Sequence, residues 1–122
     1  MLMNNYLEDL KNEKEIRRTL IAIKEAVRDD GERKTLARLL AGDFSIFADL
    51  LSHEDPKVRK NAALLLGIME AKAYQGVLWE AYQREETLFI KADYIKALAH
   101  FDCSAYVDQM KRRMEELSRA EN

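Results

Sequence analysis

Proline occurs once in this 122-residue sequence, cysteine once, histidine twice and glycine four times. So little turn chemistry leaves few places for hairpins and argues for long helices on short connections. The lone Cys103 cannot close a disulfide within the chain, which fits a reducing compartment. His53 and His100 lie far apart, without the His-Glu-x-x-His spacing, and no cysteine pair exists to complete a zinc site. No glycine-rich loop is present to cradle a phosphate, so neither metal nor other cofactor is expected. The longest apolar run, residues 62–69, falls well short of the roughly 20 residues that span a bilayer. The opening residues reach Glu8 and Asp9 before any apolar run and have no basic segment, so they do not resemble a secretory signal. A soluble, cytoplasmic protein with no membrane partner is the expectation.

What is present is a balanced mixture, 48% hydrophobic and 34% charged, with a net charge of −2. That composition suits one folded domain and disfavours a dedicated nucleic-acid binder, which needs clustered cations. Ile16, Leu20, Ile23 and Val27 recur at helical spacing and predict a helix from near Glu13 to near Asp30, with Gly31 as its left-handed terminator. Leu36, Leu39 and Leu40 mark a short helix stopped at Gly42. Asp43 or Ser45 could cap the next, which buries Phe44, Ile46, Phe47, Leu50 and Leu51. Asp55 is a good N-cap and Pro56 an ideal first helical residue for a helix burying Val58, Ala62, Leu65, Leu66 and Met69. A helix over 74–86 uses Val77, Leu78, Trp79 and Tyr82. Thr87 can cap another with Ile90, Tyr94, Ile95, Leu98 and Phe101. A terminal helix over 103–118 follows, with Tyr106, Val107, Met110, Met114 and Leu117. No segment alternates with period two, so no β-sheet is expected.

Sliding the chain on itself by 32 residues aligns Ile46 with Leu78, Phe47 with Trp79, Glu54 with Glu86, Val58 with Ile90, Arg59 with Lys91, Gly67 with Ala99, Leu66 with Leu98 and Met69 with Phe101. The match is of chemistry rather than of letters, and it divides the single domain into irregular helices over 1–42, a best repeat over 43–71 and a degenerate repeat over 74–101. Within residues 47–67, an apolar first helix, a turn with Asp55-Pro56, then Val58-Arg59 and an Ala-rich stretch ending in Leu66-Gly67 together resemble a HEAT repeat. The second copy has Thr87-Leu88 in place of Asp-Pro and Lys91 in place of Arg59. The resemblance implies an armadillo-type, right-handed α-α superhelix of about three antiparallel helix pairs, with second helices lining a concave face. Independently, helix pairs with apolar residues on more than one face need stacked neighbours to cover them.

Asp55 and Arg59 are the most prominent charged pair. In the HEAT pattern the Asp caps a helix and the Arg bonds back to turns, forming a structural ladder in which Lys91 and Arg17 would be the equivalents. Arg18, Lys57, Lys60 and Lys96 fall off the buried stripes of the second helices, where they could receive an acidic peptide or a phosphate backbone, or else form an ordinary solvated face among Glu15, Glu25 and Asp93. Leu64, Phe89 and Ile68 share those helices, and a mixed apolar and basic face suits a protein partner better than bare nucleic acid. Glu85-Glu86 and Glu115-Glu116 diverge by about 100° on a helix and do not make an acid/base pair. The aromatic residues follow helical spacing and are most simply core.

These features favour a non-catalytic protein–protein interaction or scaffold module that binds another protein, or a neighbouring domain of a longer chain, through its concave face. The alternative is an accessory domain of a larger nucleic-acid-acting enzyme, since residues 43–67 also resemble HEAT-like modules that precede methyltransferase domains, RNA methyltransferases among them, in some bacterial proteins. A stand-alone enzyme is disfavoured. HEAT-like DNA alkylation-repair glycosylases resemble longer, more basic solenoids.

Overall fold

Pro56 has no N–H to leave unpaired at a helix start, and Asp55 before it accepts the Lys57 N–H through Oδ1 at 2.9 Å. Together they begin the central helix. The computed structural model describes residues 2–101 together with 112, 113, 115, 116 and 119. Its elements are α1 (Leu2–Lys11), α2 (Ile16–Ala26), α3 (Asp30–Leu40), α4 (Ser45–Ala48), α5 (Pro56–Ile68), α6 (Gln75–Arg84) and α7 (Leu88–Leu98). Single 3-10 turns at Asp49–Ser52 and Lys72–Tyr74 lead into α5 and α6. Among the described residues there is no strand, and no helix is long and apolar enough to cross a membrane.

α5 packs against both α2 and α7, while α1 packs on α2, α4 with its 3-10 extension on α5, and α6 on α7. α3 rests on α1. The core is continuous through these pairs: Leu20 and Ile23 of α2, Phe47, then Val58, Ala62, Leu65 and Leu66 of α5, Leu78 and Tyr82 of α6, and Ile90, Tyr94 and Leu98 of α7 belong to one buried cluster. Each such large side chain contributes about 1.5–3 kcal/mol by leaving water. At Gly67 the layers touch backbone to backbone. A Cβ built there would lie 2.6 Å from the carbonyl oxygen of Ala97 and 2.7 Å from its Cα. No other residue type fits that position without moving α7.

Four local expectations are corrected. The helix foreseen over about 13–30 is shorter, because Glu13 takes a left-handed φ of 56° and ends α1, with its N–H on the Leu10 carbonyl and the Lys14 N–H on that of Asp9. Gly31 does not terminate α2 but sits in the first turn of α3, where Asp29 accepts the Glu32 N–H at 3.0 Å. That cap, with Glu three residues on, outcompetes the glycine signal. Thr87 stands before α7 without a hydroxyl cap, its N–H instead reaching Glu85 at 3.2 Å. Val77 is exposed, because Leu78, Ala81 and Tyr82 form the buried stripe of α6. The anticipated terminal helix over 103–118, with Cys103 and Tyr106, lies largely outside the described residues.

Candidate functional site

Two arginines link successive helix pairs. Arg17, near the start of α2, donates through Nε and Nη2 to Asp55 Oδ2 at 3.0 and 2.7 Å. Arg59, near the start of α5, makes a two-pronged pair with Glu85, Nε to Oε1 at 2.9 Å and Nη2 to Oε2 at 3.0 Å. Its Nη1 also donates to the carbonyls of His53 and Glu54, at 2.8 and 3.0 Å, tying the turn before α5 to the turn before α7. The Arg59 and Glu85 side chains are only 18% and 3% exposed, whereas Arg17 is 52% exposed. Burial pushes the Glu85 carboxyl up, yet the Arg59 and Thr87 hydrogen bonds outweigh it and leave its pKa below the ordinary value. Burial, with the Glu85 carboxylate nearby, raises the Tyr94 hydroxyl. At Asp55 the Arg17 hydrogen bond lowers the carboxyl, against a smaller effect of burial. Lys91, at the repeat position of Arg59, instead places its ammonium 4.8 Å from the centroid of the Tyr82 ring, which stacks on Trp79.

Glu85 is the residue that the sequence pattern missed. Its position in the repeat corresponds to His53, whose backbone carbonyl rather than side chain serves Arg59. The available signal was the substitution of Asp55-Pro56 by Thr87-Leu88, which removes the carboxylate that the Arg17 equivalent uses and requires another nearby.

The second feature is the open face of α2, α5 and α7. In α5, Val58, Asn61, Ala62, Ala63, Leu65, Leu66 and Gly67 are buried, leaving one stripe of Lys57, Lys60, Leu64 and Ile68. Lys57 is exposed and the other three half-buried. The equivalent positions of α7 hold Phe89, Ala92 and Lys96, with His100 in the turn just after it; Phe89 is 59% exposed. Lys96 lies 3.8 Å from Asp93, itself buried. On α2, Arg18 is exposed and pairs with Glu15 at 3.3 Å. Lys24 bridges the α2–α5 junction by donating to Asn61 Oδ1 at 2.7 Å, while Asn61 Nδ2 donates to the Lys57 carbonyl at 2.9 Å. Burial, then the charge of Lys60, lower the Lys24 pKa, against smaller opposing effects of Asp93 and Glu25. The fold thus brings Lys57, Lys60 and Leu64 into one stripe, sets Lys96 on the adjoining helix, and places Arg18 on α2, across α5 from it.

A cavity of about 230 Å³ is lined by Arg59, Arg84, Glu85 and Glu86, of which Arg59 and Glu85 pair with each other. Among the described residues no cluster of His, Cys, Asp and Glu side chains could hold a metal ion. Comparison with family models, with curated proteins and with solved structures found no match.

Proposed function

We propose that this chain is a HEAT-like repeat module, a right-handed solenoid of about three helix pairs, that works without catalysis. It holds another protein, or a neighbouring domain, against the open face of α2, α5 and α7. The observation that supports this most directly is the stripe along α5, where cationic Lys57 and Lys60 continue into apolar Leu64 and Ile68 beside an exposed Phe89. Isolated exposed apolar residues are ordinary on a monomer, but a grouped set rimmed by charge marks an interaction surface. The interspersed apolar side chains favour a protein over a nucleic-acid backbone, which rewards cations alone. The buried arginine ladder has a scaffolding role here, keeping α5 and α7 in register beneath the face.

A photo-crosslinking amino acid at Leu64 tests this against the same group at Gln83, which is exposed on α6. Discrete protein adducts are expected from Leu64, absent from Gln83, and lost when Lys57 and Lys60 are both changed to Glu. Equal adducts from the two positions would sink the assignment of the face.

A further inference from the structure

Building on that reading of the face, we propose that the segment it holds is acidic and carries large apolar side chains. A uniform polyanion and an uncharged apolar strand both fit it less well. The charge balance of the three helices specifies the first half. On α2 and the residues that flank it, Glu15 is matched by Arg18 and Glu25 by Arg28, each at 3.3 Å. On α7, Asp93 is matched by Lys96 at 3.8 Å. α5 contains no acidic residue at all, and its Arg59 is consumed by Glu85. Lys57 and Lys60 are therefore left over, and neither forms an ion pair among the described residues. They stand one turn apart on the same side of α5, with the Lys24 ammonium close enough to Lys60 to feel its charge. Of the acids on the flanking helices, Glu25 is already engaged by Arg28 and Asp93 by Lys96.

The apolar half is specified by what surrounds these lysines. Leu64 and Ile68 extend the same stripe, and the helices on either side of α5 expose Ile21 and Phe89, at 42% and 59%. A polyanion would leave those side chains in water, whereas leucine- or phenylalanine-sized groups on the partner would cover them. The stripe from Lys57 to Ile68 is about 16 Å long at 1.5 Å per residue, which about five extended residues would span. Acids and apolar side chains must therefore lie within one short motif, the acids toward Lys57 and Lys60 and apolar groups toward Leu64 and Ile68.

The test is selection of a random-peptide display library on the immobilised full chain, followed by titration of the enriched peptides. They are expected to be net acidic with Leu, Ile, Phe or Trp close to the acids. Affinity should fall about tenfold or more for Lys57→Glu/Lys60→Glu, and by a comparable factor for Phe89→Ala. Both variants change surface side chains, and matching thermal melts establish that the fold is intact. Enriched peptides that are neutral, and respond to Phe89→Ala but not to the lysine reversal, overturn the acidic specification while the face itself stands. Peptides indifferent to both variants, or no enrichment at all, overturn the face as well. Displacement by oligoglutamate or by a single-stranded oligonucleotide, as effective as by the peptide itself, identifies a polyanion site and also overturns the proposal.

Discussion

The junction between α2 and α5 and the junction between α5 and α7 use the same device under different conditions. In each, an arginine near the start of one helix reaches a carboxylate in the turn before the next. At the first junction the pair is half in water, and the helices are further linked by Lys24 and Asn61. At the second the pair is buried, two-pronged and joined to two backbone carbonyls, and the helices touch at Gly67 and Ala97 without intervening side chains. Matching connectivity therefore does not mean matching energy. A solvated ion pair is worth about 0–1 kcal/mol, whereas removing one partner of a buried pair costs about 3–5 kcal/mol because the other charge is stranded.

The largest effect that sharpens this contrast is at Glu85. Glu85→Ala should destabilise by about 3–5 kcal/mol, measured by urea denaturation, since it strands Arg59 and the Thr87 N–H. The same carboxyl gives a pH signature. Its folded pKa is depressed, so its contribution is fully present above the unfolded value of about 4.3, and is lost as pH falls below that value through the folded one. Stability of the native chain should decline across that acid window, and Glu85→Gln should remove much of that decline. An equal decline in the variant would show that the buried pair is not its source.

Next comes the backbone contact. Gly67→Val should cost about 1–3 kcal/mol through forced separation of α5 and α7. Gly67→Ala is the sharper version, because alanine gains about 1 kcal/mol of helix propensity over glycine. A net loss from that substitution, seen as a lower midpoint, shows that the 2.6 Å approach outweighs propensity. A gain would break the comparison, placing slack at the α5–α7 junction where the structure has contact.

The smallest effect belongs to the exposed rung. Arg17→Met should change stability by no more than about 1 kcal/mol, and salt should reduce even that. A loss as large as that of Glu85→Ala would mean that the two junctions are energetically alike. Asp55 differs from its partner, because it also caps α5 through the Lys57 N–H.

Signals confined to a few neighbouring residues were legible beforehand. Asp55-Pro56 announced the start of α5, and the spacing of Val58, Ala62, Leu65 and Leu66 announced which side it buries. The stripe of Lys57, Lys60 and Leu64 followed as the complement of that pattern. Gly31 misled because a glycine beside a helix end is a weak signal, and the Asp29–Glu32 cap two residues away is a stronger one. Glu85 was not legible because an acid next to another acid in a helix-ending segment is ordinarily solvated. Its burial depends on Arg59, 26 residues earlier, arriving from the neighbouring pair.

By itself, then, the sequence determined that the chain is helical, where most helices lie, and which stripes are apolar, because capping and periodicity act over one or two turns. Only the tertiary structure decided which acid completes each rung, how closely α5 and α7 approach, and which cations remain unmatched on the open face. Those outcomes depend on side chains distant in sequence competing for the same partners and the same space. Among the described residues Lys57 and Lys60 are left without an ion pair, because Arg59 takes Glu85 and Asp93 is taken by Lys96.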